Sequence, residues 1–212
     1  MAKYILFGFT KIIMQVNFYP NRSTNFCARD IFMEKVNKLS QNNVYVPEDV
    51  HFVELESHNA ADVQALKNVA KYWKHSIYTD SVYNSLLDKS KSDKSICERK
   101  FYSLTTQQSG FELLDDEKIL GISEVMVRRN PSEIYLCYIE ADPKYIYEQT
   151  REYKRIGTAM LDSLKKLYSK ITLNARDTYA VKKFYLKNDF LVSLGGPTHF
   201  VWYKNIFDNF MK

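Results

Sequence analysis

The pattern of apolar and polar positions changes its period at several points along the chain. Residues 51–55 alternate as in a half-buried strand, and Asn59 behind them is a residue type that caps helices. A further short helix is predicted at residues 82–87, and a polar surface loop at residues 89–95. Between Asn59 and these elements, helical spacing predicts a helix with the apolar positions Val63, Leu66, Val69, Ala70 and Trp73.

After residue 100 the pattern favours strands and shorter helices. Residues 134–139 form a nearly continuous apolar run, which is typical of a strand buried on both faces, and Cys137 within it is expected in the core. A helix is predicted from Ile156, because the apolar residues at positions 156, 160, 164 and 167 form one stripe. This order predicts an α/β or α+β fold, with helices packed against a sheet. The remaining predicted elements are strands at residues 101–106, 119–127, 171–173, 191–194 and 199–203, and a helix at residues 181–186.

The first 48 residues have a less regular pattern. Residues 4–9 and 12–16 predict short strands, and residues 28–39 are compatible with a helix. We therefore expect two regions, an N-terminal extension of unclear role at residues 1–48 and a folded domain at residues 49–212.

Composition excludes several classes of protein. The chain has 212 residues, and its 16 Tyr and 13 Phe outnumber its six Gly and five Pro, which excludes disordered and collagen-like chains. There is no apolar run of about 18 residues and no signal-peptide cleavage site, so neither a membrane span nor secretion is expected. The three cysteines are odd in number and far apart, which favours reduced thiols in a cytoplasmic protein. The four histidines lack metal-ligand spacing, so no metal is expected.

The net charge is +5, and most of it falls on one stretch of the chain. Residues 144–170 contain seven basic and three acidic residues, which suits either a solvated helix face or an anion site. Within this stretch, Lys154 and Arg155 precede a predicted helix whose first residues include the small Gly157 and Ala159. A helix N-terminus with small residues exposes backbone N–H groups that can hold a phosphate.

Two motifs resemble the GNAT superfamily of N-acetyltransferases. The apolar strand at residues 134–139, the sequence Ala-Asp-Pro at 141–143 and the loop and helix just described resemble the central motif of that family. Residues 181–190, VKKFYLKNDF, resemble the family's helix that ends in FYxKxGF, with Asp189 where glycine is usual. The resemblance covers about residues 51–207. It implies a mixed, mostly antiparallel central sheet with splayed parallel strands at its centre, flanked by helices.

The resemblance also implies a cofactor site. Acetyl-CoA would bind between the strands at residues 134–141 and 171–174 of a GNAT-like acetyltransferase domain. Backbone groups of the first strand would pair with the pantetheine arm, and the amides of residues 155–159 would hold the pyrophosphate. The implied contacts are Ile139, Glu140, Ala141, Lys154, Arg155, Ile156, Gly157, Thr158, Ala159 and Asn174.

The family motif Gln/Arg-x-x-Gly-x-Gly/Ala can be placed on the loop in two registers. One register puts Lys154, Gly157 and Ala159 at the three motif positions. The other puts Glu152, Arg155 and Gly157 there, so that an arginine stands where the family has its first glycine.

The implied reaction is the direct attack of a primary amine on the thioester of acetyl-CoA. An alkyl amine with a pKa of about 10.4 must lose a proton before it attacks, and a carboxylate can accept that proton. Glu133 is the first candidate base and Glu124 the second, with Glu140 as a third option; some members of the family use ordered water instead. Tyr185 is the candidate acid for the leaving thiolate, because a phenol with a pKa of about 10 is protonated at neutral pH.

The sequence leaves the acceptor open between a small amine and a protein amine. One alternative is a GNAT-type toxin that acetylates aminoacyl-tRNA, which the basic stretch would suit. Another is a non-catalytic GNAT-like domain used for binding or regulation. We expect a monomer or a homodimer with no membrane partner.

Overall fold

The computed structural model describes residues 29–57, 59–73, 82–84, 98–107, 118–147 and 150–204. The strands predicted at residues 4–9 and 12–16 and the loop predicted at residues 89–95 lie outside these ranges. The helix predicted at residues 82–87 lies largely outside them. Among the described helices, none is long and apolar enough to cross a membrane. In chain order, the elements used below are β1 (Arg29–Leu39), β2 (Tyr45–Leu55), α1 (Ala60–Tyr72), β3 (Arg99–Thr105), β4 (Ile119–Val127), β5 (Glu133–Ala141), α2 (Lys144–Tyr147), β6 (Tyr153–Lys154), α3 (Ile156–Leu167), β7 (Lys170–Asn174), α4 (Tyr179–Lys187), β8 (Leu191–Val192) and β9 (His199–Tyr203).

The strands form one mixed sheet in the order β6-β1-β2-β3-β4-β5-β7-β9-β8. Its neighbouring strands are antiparallel except for β5 and β7, which run parallel. These two strands pair only as far as Leu136 and Leu173, and they separate beyond those residues. The predicted fold class, a mostly antiparallel sheet with splayed parallel strands near its centre and flanking helices, is therefore confirmed.

The prediction of a helix at residues 28–39 is wrong, because residues 29–39 form β1. β1 pairs antiparallel with β2 from Arg29 to Leu39. The sheet therefore includes residues that precede the expected start of the folded domain at residue 49. Residue 48, where the two regions were expected to meet, lies within β2.

A charged residue interrupts the apolar pattern that would have predicted β1 as a strand. Phe32 stacks on Phe52 with ring centroids 5.4 Å apart, and Val36 is fully buried, so both residues face the core. Glu34 lies between them on the same face of the strand, where Lys166 of α3 binds its carboxylate. The apolar alternation that would indicate a strand is therefore interrupted at a position where the helix supplies a cation.

Helices pack on both faces of the sheet. Asn59 caps α1 as predicted, because its side-chain oxygen accepts hydrogen bonds from the N–H groups of Ala61 and Asp62. On the other face, α3 buries its stripe against β4 and β5, except that the last predicted member, Leu167, is 37% exposed. Gly121 of β4 permits this close packing, since a Cβ there would lie 2.5 Å from Met160 Sδ.

Candidate active site

The separation of β5 and β7 opens a cleft of about 750 Å³. Its walls are the ends of these two strands, the first turn of α3 and one face of α4. The predicted site residues that line it are Ile139, Glu140, Ala141, Gly157, Asn174 and Tyr185. Residues that lie far apart in the sequence are therefore gathered around one space.

One edge of β5 is unpaired along the cleft. On its other edge β5 pairs with β4 as far as Ala141, whereas the described residues form no β5–β7 pair beyond Leu136. The backbone N–H and C=O groups that point into the cleft are available to an extended ligand, which can add to β5 as a further strand. A β-bulge opposite Glu124 and Val125 bends β5 at the point where the separation begins.

Cys137 is the extra residue of this bulge, and it lines the cleft with an exposed side chain. The predictions of a strand buried on both faces and of a core cysteine are therefore wrong, because the sheet is open at this point. Although part of its surface is exposed, burial of the rest and the nearby Glu124 carboxylate raise the pKa of the Cys137 thiol to about 12. The thiol is protonated at neutral pH and is not an activated nucleophile.

The N-terminus of α3 borders the cleft with unused backbone amides. Arg155 precedes the helix with φ 67° and ψ 15°, a left-handed conformation that favours glycine. The N–H of Ala159 donates to the carbonyl oxygen of Arg155 at 2.9 Å and closes the first turn. The amides of residues 156–158 have no partner within the helix and can hold an anion, whereas the Ala159 amide already donates within the first turn.

The side chains of this turn fit a ligand that approaches its backbone. A Cβ on Gly157 would lie 3.1 Å from Cζ of Phe184 on α4, so a larger residue there would intrude between the two helices. Ile156 and Ala159 point into the core and Thr158 is half-buried. The left-handed backbone at Arg155 suits the motif register that puts the first glycine at this position.

Lys154, a predicted cofactor contact, is not among the residues that line the cleft. Its Nζ lies 3.7 Å from the ring centroid of Tyr45 on β2. The geometry therefore directs its ammonium to the β1–β2 hairpin.

Much of the basic stretch at residues 144–170 is neutralised within the fold. Four of its lysines lie within 4 Å of carboxylates: Lys144 of Asp142, Lys165 of Asp162 and Asp189, Lys166 of Glu34, and Lys170 of Glu133. The cluster that the sequence presents is thus distributed over several ion pairs. Arg176, which lies outside the stretch, lines the cleft directly.

Sequence reasoning missed several residues of the cleft. Arg176 follows β7 almost directly, and a search for basic residues just after the second parallel strand would have found it. The other missed residues are Leu136, Tyr138, Ile146, Leu173, Ala175, Ala180, Val181 and Phe184. Apart from Tyr138 these are apolar, and nothing in their spacing distinguishes them from core residues.

Tyr185 combines a buried ring with a place in the cleft wall. The ring lies 5.2 Å from Phe184 and 5.5 Å from both Phe190 and Phe200, measured between centroids. Burial raises the pKa of the Tyr185 phenol to about 12. The group is therefore protonated throughout the pH range in which proteins normally work.

One of the three candidate carboxylates lines the cleft, and another lies opposite a residue of its wall. Glu140 lines it and accepts a hydrogen bond from the hydroxyl of Tyr138. Glu124 is 6% exposed and lies on β4 opposite Tyr138, with its Oε1 3.3 Å from Nη1 of Arg99. Since Tyr138 and the thiol of Cys137 are its neighbours on β5, Glu124 lies beside the bulge where the cleft begins.

Glu133, the first candidate for the base, is placed elsewhere. It begins β5, at the end where β5 and β7 are still paired, and it is not among the cleft residues. Its carboxylate is held by Lys170 Nζ at 3.3 Å and by Nδ2 of Asn130 at 3.1 Å. The structure therefore does not bring Glu133 to the other site residues.

Neither a protein-family model nor a curated protein matches the sequence. Among solved structures, the chain is similar to the PaiA N-acetyltransferase of Thermoplasma acidophilum in complex with coenzyme A, at 20% identity and a TM-score of 0.43, covering 72% of this chain and 96% of that one. It is also similar to a Salmonella typhimurium acetyltransferase that modifies the N-terminal serine of a 50S ribosomal subunit protein, at 11% identity and a TM-score of 0.47, covering 74% and 95%. A third is nourseothricin acetyltransferase, at 10% identity and a TM-score of 0.34, covering 86% and 91%. All three of these proteins are acetyltransferases.

Proposed function

We propose that the protein is an acetyl-CoA-dependent N-acetyltransferase that transfers the acetyl group to a primary amine by direct attack. The observation that carries this proposal is the unpaired edge of β5, which faces the same cleft as the free amides of α3. An extended arm with amide groups and a charged phosphate end fits these two features together. Acetyl-CoA has both, in its pantetheine arm and its pyrophosphate.

The residues of the cleft divide into two groups under this proposal. Backbone groups of Ile139, Glu140 and Ala141 pair with the pantetheine arm, and Asn174 faces the arm from the end of β7. The amides of residues 156–158 hold the pyrophosphate, aided by the partial positive charge of the helix N-terminus. Gly157 lets the phosphates approach the backbone.

Acetyl transfer requires the acceptor amine to be neutral when it attacks. Glu124 suits the role of base because it is a buried carboxylate beside the bulge, where it can accept the proton directly or through a water. Glu140 is the second candidate because it lines the cleft. The distance of Glu133 from the cleft argues against the same role for it.

The leaving thiolate gains from a proton donor in the cleft. Tyr185 can donate, because its pKa of about 12 keeps the phenol protonated and its ring is fixed by three aromatic neighbours. Proton donation to the thiolate and proton removal from the amine then occur from different strands and helices of the same cleft. The acceptor is a small amine or an amine of a protein.

Calorimetric titration of the purified protein with acetyl-CoA, with CoA for comparison, tests the proposal first. We expect binding with a Kd in the micromolar range, about −8 kcal/mol. A transfer assay with small amines, peptides and aminoacyl-tRNA as acceptors then separates the acceptor classes. If the protein does not bind acetyl-CoA at millimolar concentration, the proposed enzyme function is refuted. If aminoacyl-tRNA is the only acceptor that becomes acetylated, a small amine or a protein amine as acceptor is refuted.

A further inference from the structure

The loop that leads into α3 is tied to the β1–β2 hairpin. β6 pairs antiparallel with β1, with Lys154 opposite Asn37 and Tyr153 opposite Lys38. The N–H of Leu39 also donates to the carbonyl oxygen of Glu152 at 2.7 Å. The residues immediately before the anion-binding turn are therefore an added strand on an element far away in the sequence.

Tyr45, the first residue of β2, contacts this loop at two points. Its hydroxyl donates a hydrogen bond to the carbonyl oxygen of Arg151 at 2.6 Å. Its ring lies beneath the ammonium of Lys154, with 3.7 Å between Nζ and the ring centroid. One side chain thus holds both ends of the segment from Arg151 to Lys154.

Tyr153 anchors the same segment from the other side. It is 5% exposed, it packs edge-to-face on Tyr145 at 5.2 Å, and its hydroxyl donates to Oε1 of Glu48 at 3.1 Å. Lys38 binds the other carboxylate oxygen of Glu48 at 3.1 Å, so this half-buried acceptor is itself paired. Side chains of both hairpin strands therefore hold β6.

The contacts with the hairpin restrain the chain next to a backbone position with an unfavourable conformation. Arg155 follows β6 directly, and its left-handed conformation is unfavourable for a residue other than glycine. Such a conformation persists only where the surrounding structure fixes it. β6 fixes the chain on one side of Arg155, and the first turn of α3 fixes it on the other.

We propose that the β1–β2 hairpin positions the anion-binding turn of α3, and that Tyr45 is a positioning residue acting through Lys154 and the Arg151 carbonyl. This inference rests on the proposed function of the turn. It assigns to Lys154 the role of holding the backbone through Tyr45 and not that of contacting a phosphate. The hairpin thereby becomes part of the cofactor-binding machinery without touching the cofactor.

The variants Tyr45→Phe, Tyr45→Ala and Lys154→Met, and the double variant of the last two, test the inference. Tyr45→Phe removes only the hydrogen bond, Tyr45→Ala removes both contacts, and Lys154→Met removes the charge and keeps the length of the side chain. Tyr72→Ala is the matched control, because Tyr72 is 60% exposed on α1. Urea unfolding of each variant identifies any loss of overall stability.

Two readouts separate positioning from a structural role. Hydrogen exchange of the amides of residues 151–158 in the free protein should be faster in Tyr45→Ala than in the wild type and the control. The Kd for acetyl-CoA should rise by about threefold in Tyr45→Phe and about tenfold in Tyr45→Ala, with kcat at saturating substrate nearly unchanged. The double variant should bind acetyl-CoA no more weakly than Tyr45→Ala does, because both substitutions break the same contact between Lys154 and the Tyr45 ring.

The outcomes distinguish this inference from the proposed function. If the wild type binds acetyl-CoA and Tyr45→Ala binds it equally well, the positioning role is wrong and the function stands. If Lys154→Met weakens binding additively with Tyr45→Ala, and increasingly at low salt, Lys154 contacts the phosphates and the inference fails. If the wild type does not bind acetyl-CoA, the proposed function fails, and unchanged exchange in Tyr45→Ala would then also exclude the restraint.

Discussion

The backbone of Arg155 accepts a hydrogen bond from the N–H of Ala159 at 2.9 Å while its own φ is 67°. The first turn of α3 therefore closes on a residue in the left-handed region. This arrangement leaves the next three amides directed away from the helix, toward the side where the cleft lies. The conformation at Arg155, more than its charge, thus determines where an anion can be held.

Substitutions of Arg155 should follow the order of preference for the left-handed region. The free energy of unfolding of Arg155→Gly should match or exceed that of the wild type. That of Arg155→Ala should be lower, and that of Arg155→Val should be about 1–2 kcal/mol below that of Arg155→Gly. Urea unfolding of the three variants measures this order. The same substitutions at Lys183, an exposed position inside α4, serve as control, and there glycine should be the least stable. Equal stability of glycine and valine at position 155 would contradict the left-handed conformation.

Gly157→Trp should abolish binding of acetyl-CoA. A Cβ at this position already meets Phe184 at 3.1 Å, so an indole must occupy the cleft. We expect the Kd to rise by at least about 100-fold, as measured by calorimetry. Leu194→Trp, at a fully exposed position in the turn between β8 and β9, is the matched control and should bind as the wild type does. Unaltered binding by a folded Gly157→Trp protein would exclude the α3 turn from the cofactor site.

The parts of the fold that were predictable depend on local signals. β4 and β9 have the predicted bounds, and α1 begins behind its predicted cap, because alternation and capping are properties of neighbouring residues. The resemblance to the GNAT motifs supplied the splayed parallel strands and six residues of the cleft wall. Both kinds of signal lie within short stretches of sequence.

The errors concern contacts between distant segments. β1 contains Glu34 on its inward face, where Lys166 and Ser163 of α3 bind its carboxylate, and no local pattern carries that information. Cys137 lies in an apolar run and is nevertheless exposed, because the sheet opens beside it. The cofactor contact of Lys154 stays a prediction, but its ammonium lies over the ring of Tyr45, a contact that no local pattern indicates either.

Glu124→Gln should slow acetyl transfer more than Glu133→Gln does. General bases contribute about 100-fold or more to the rate, and only the first of these carboxylates lies opposite Tyr138, a residue of the cleft wall. We expect kcat/KM to fall by about 100-fold in Glu124→Gln and by less than about threefold in Glu133→Gln. The Kd for acetyl-CoA should be unchanged in both variants. A larger loss in Glu133→Gln would show that the base is at the start of β5.

Tyr185→Phe should retain acetyl-CoA binding and lower kcat. The change removes only the hydroxyl, so the ring still packs against Phe184, Phe190 and Phe200. We expect a decrease in kcat of about 10- to 100-fold, with the Kd within about twofold of the wild type. Steady-state kinetics with a single acceptor amine measures the first quantity and calorimetry the second. An intact kcat would exclude Tyr185 as the proton donor.

Tyr185 should also contribute to the loss of stability at alkaline pH. Burial raises the pKa of its phenol from 10.0 to about 12, so the unfolded chain releases this proton more readily than the folded protein. The contribution to stability is complete below pH 10 and decreases as the pH rises from 10 through 12, by at most about 1.4 kcal/mol per pH unit. Burial also raises the pKa values of Tyr145, Tyr153 and Tyr168, so the pH dependence of the wild type combines the effects of several phenols.

Urea unfolding of the wild type and of Tyr185→Phe between pH 8 and 11 isolates the contribution of Tyr185, because only the wild type has this phenol. The stability of the wild type should fall relative to the variant above pH 10, whereas Tyr72→Phe should follow the wild type, and identical pH profiles for all three proteins would contradict a buried, protonated Tyr185.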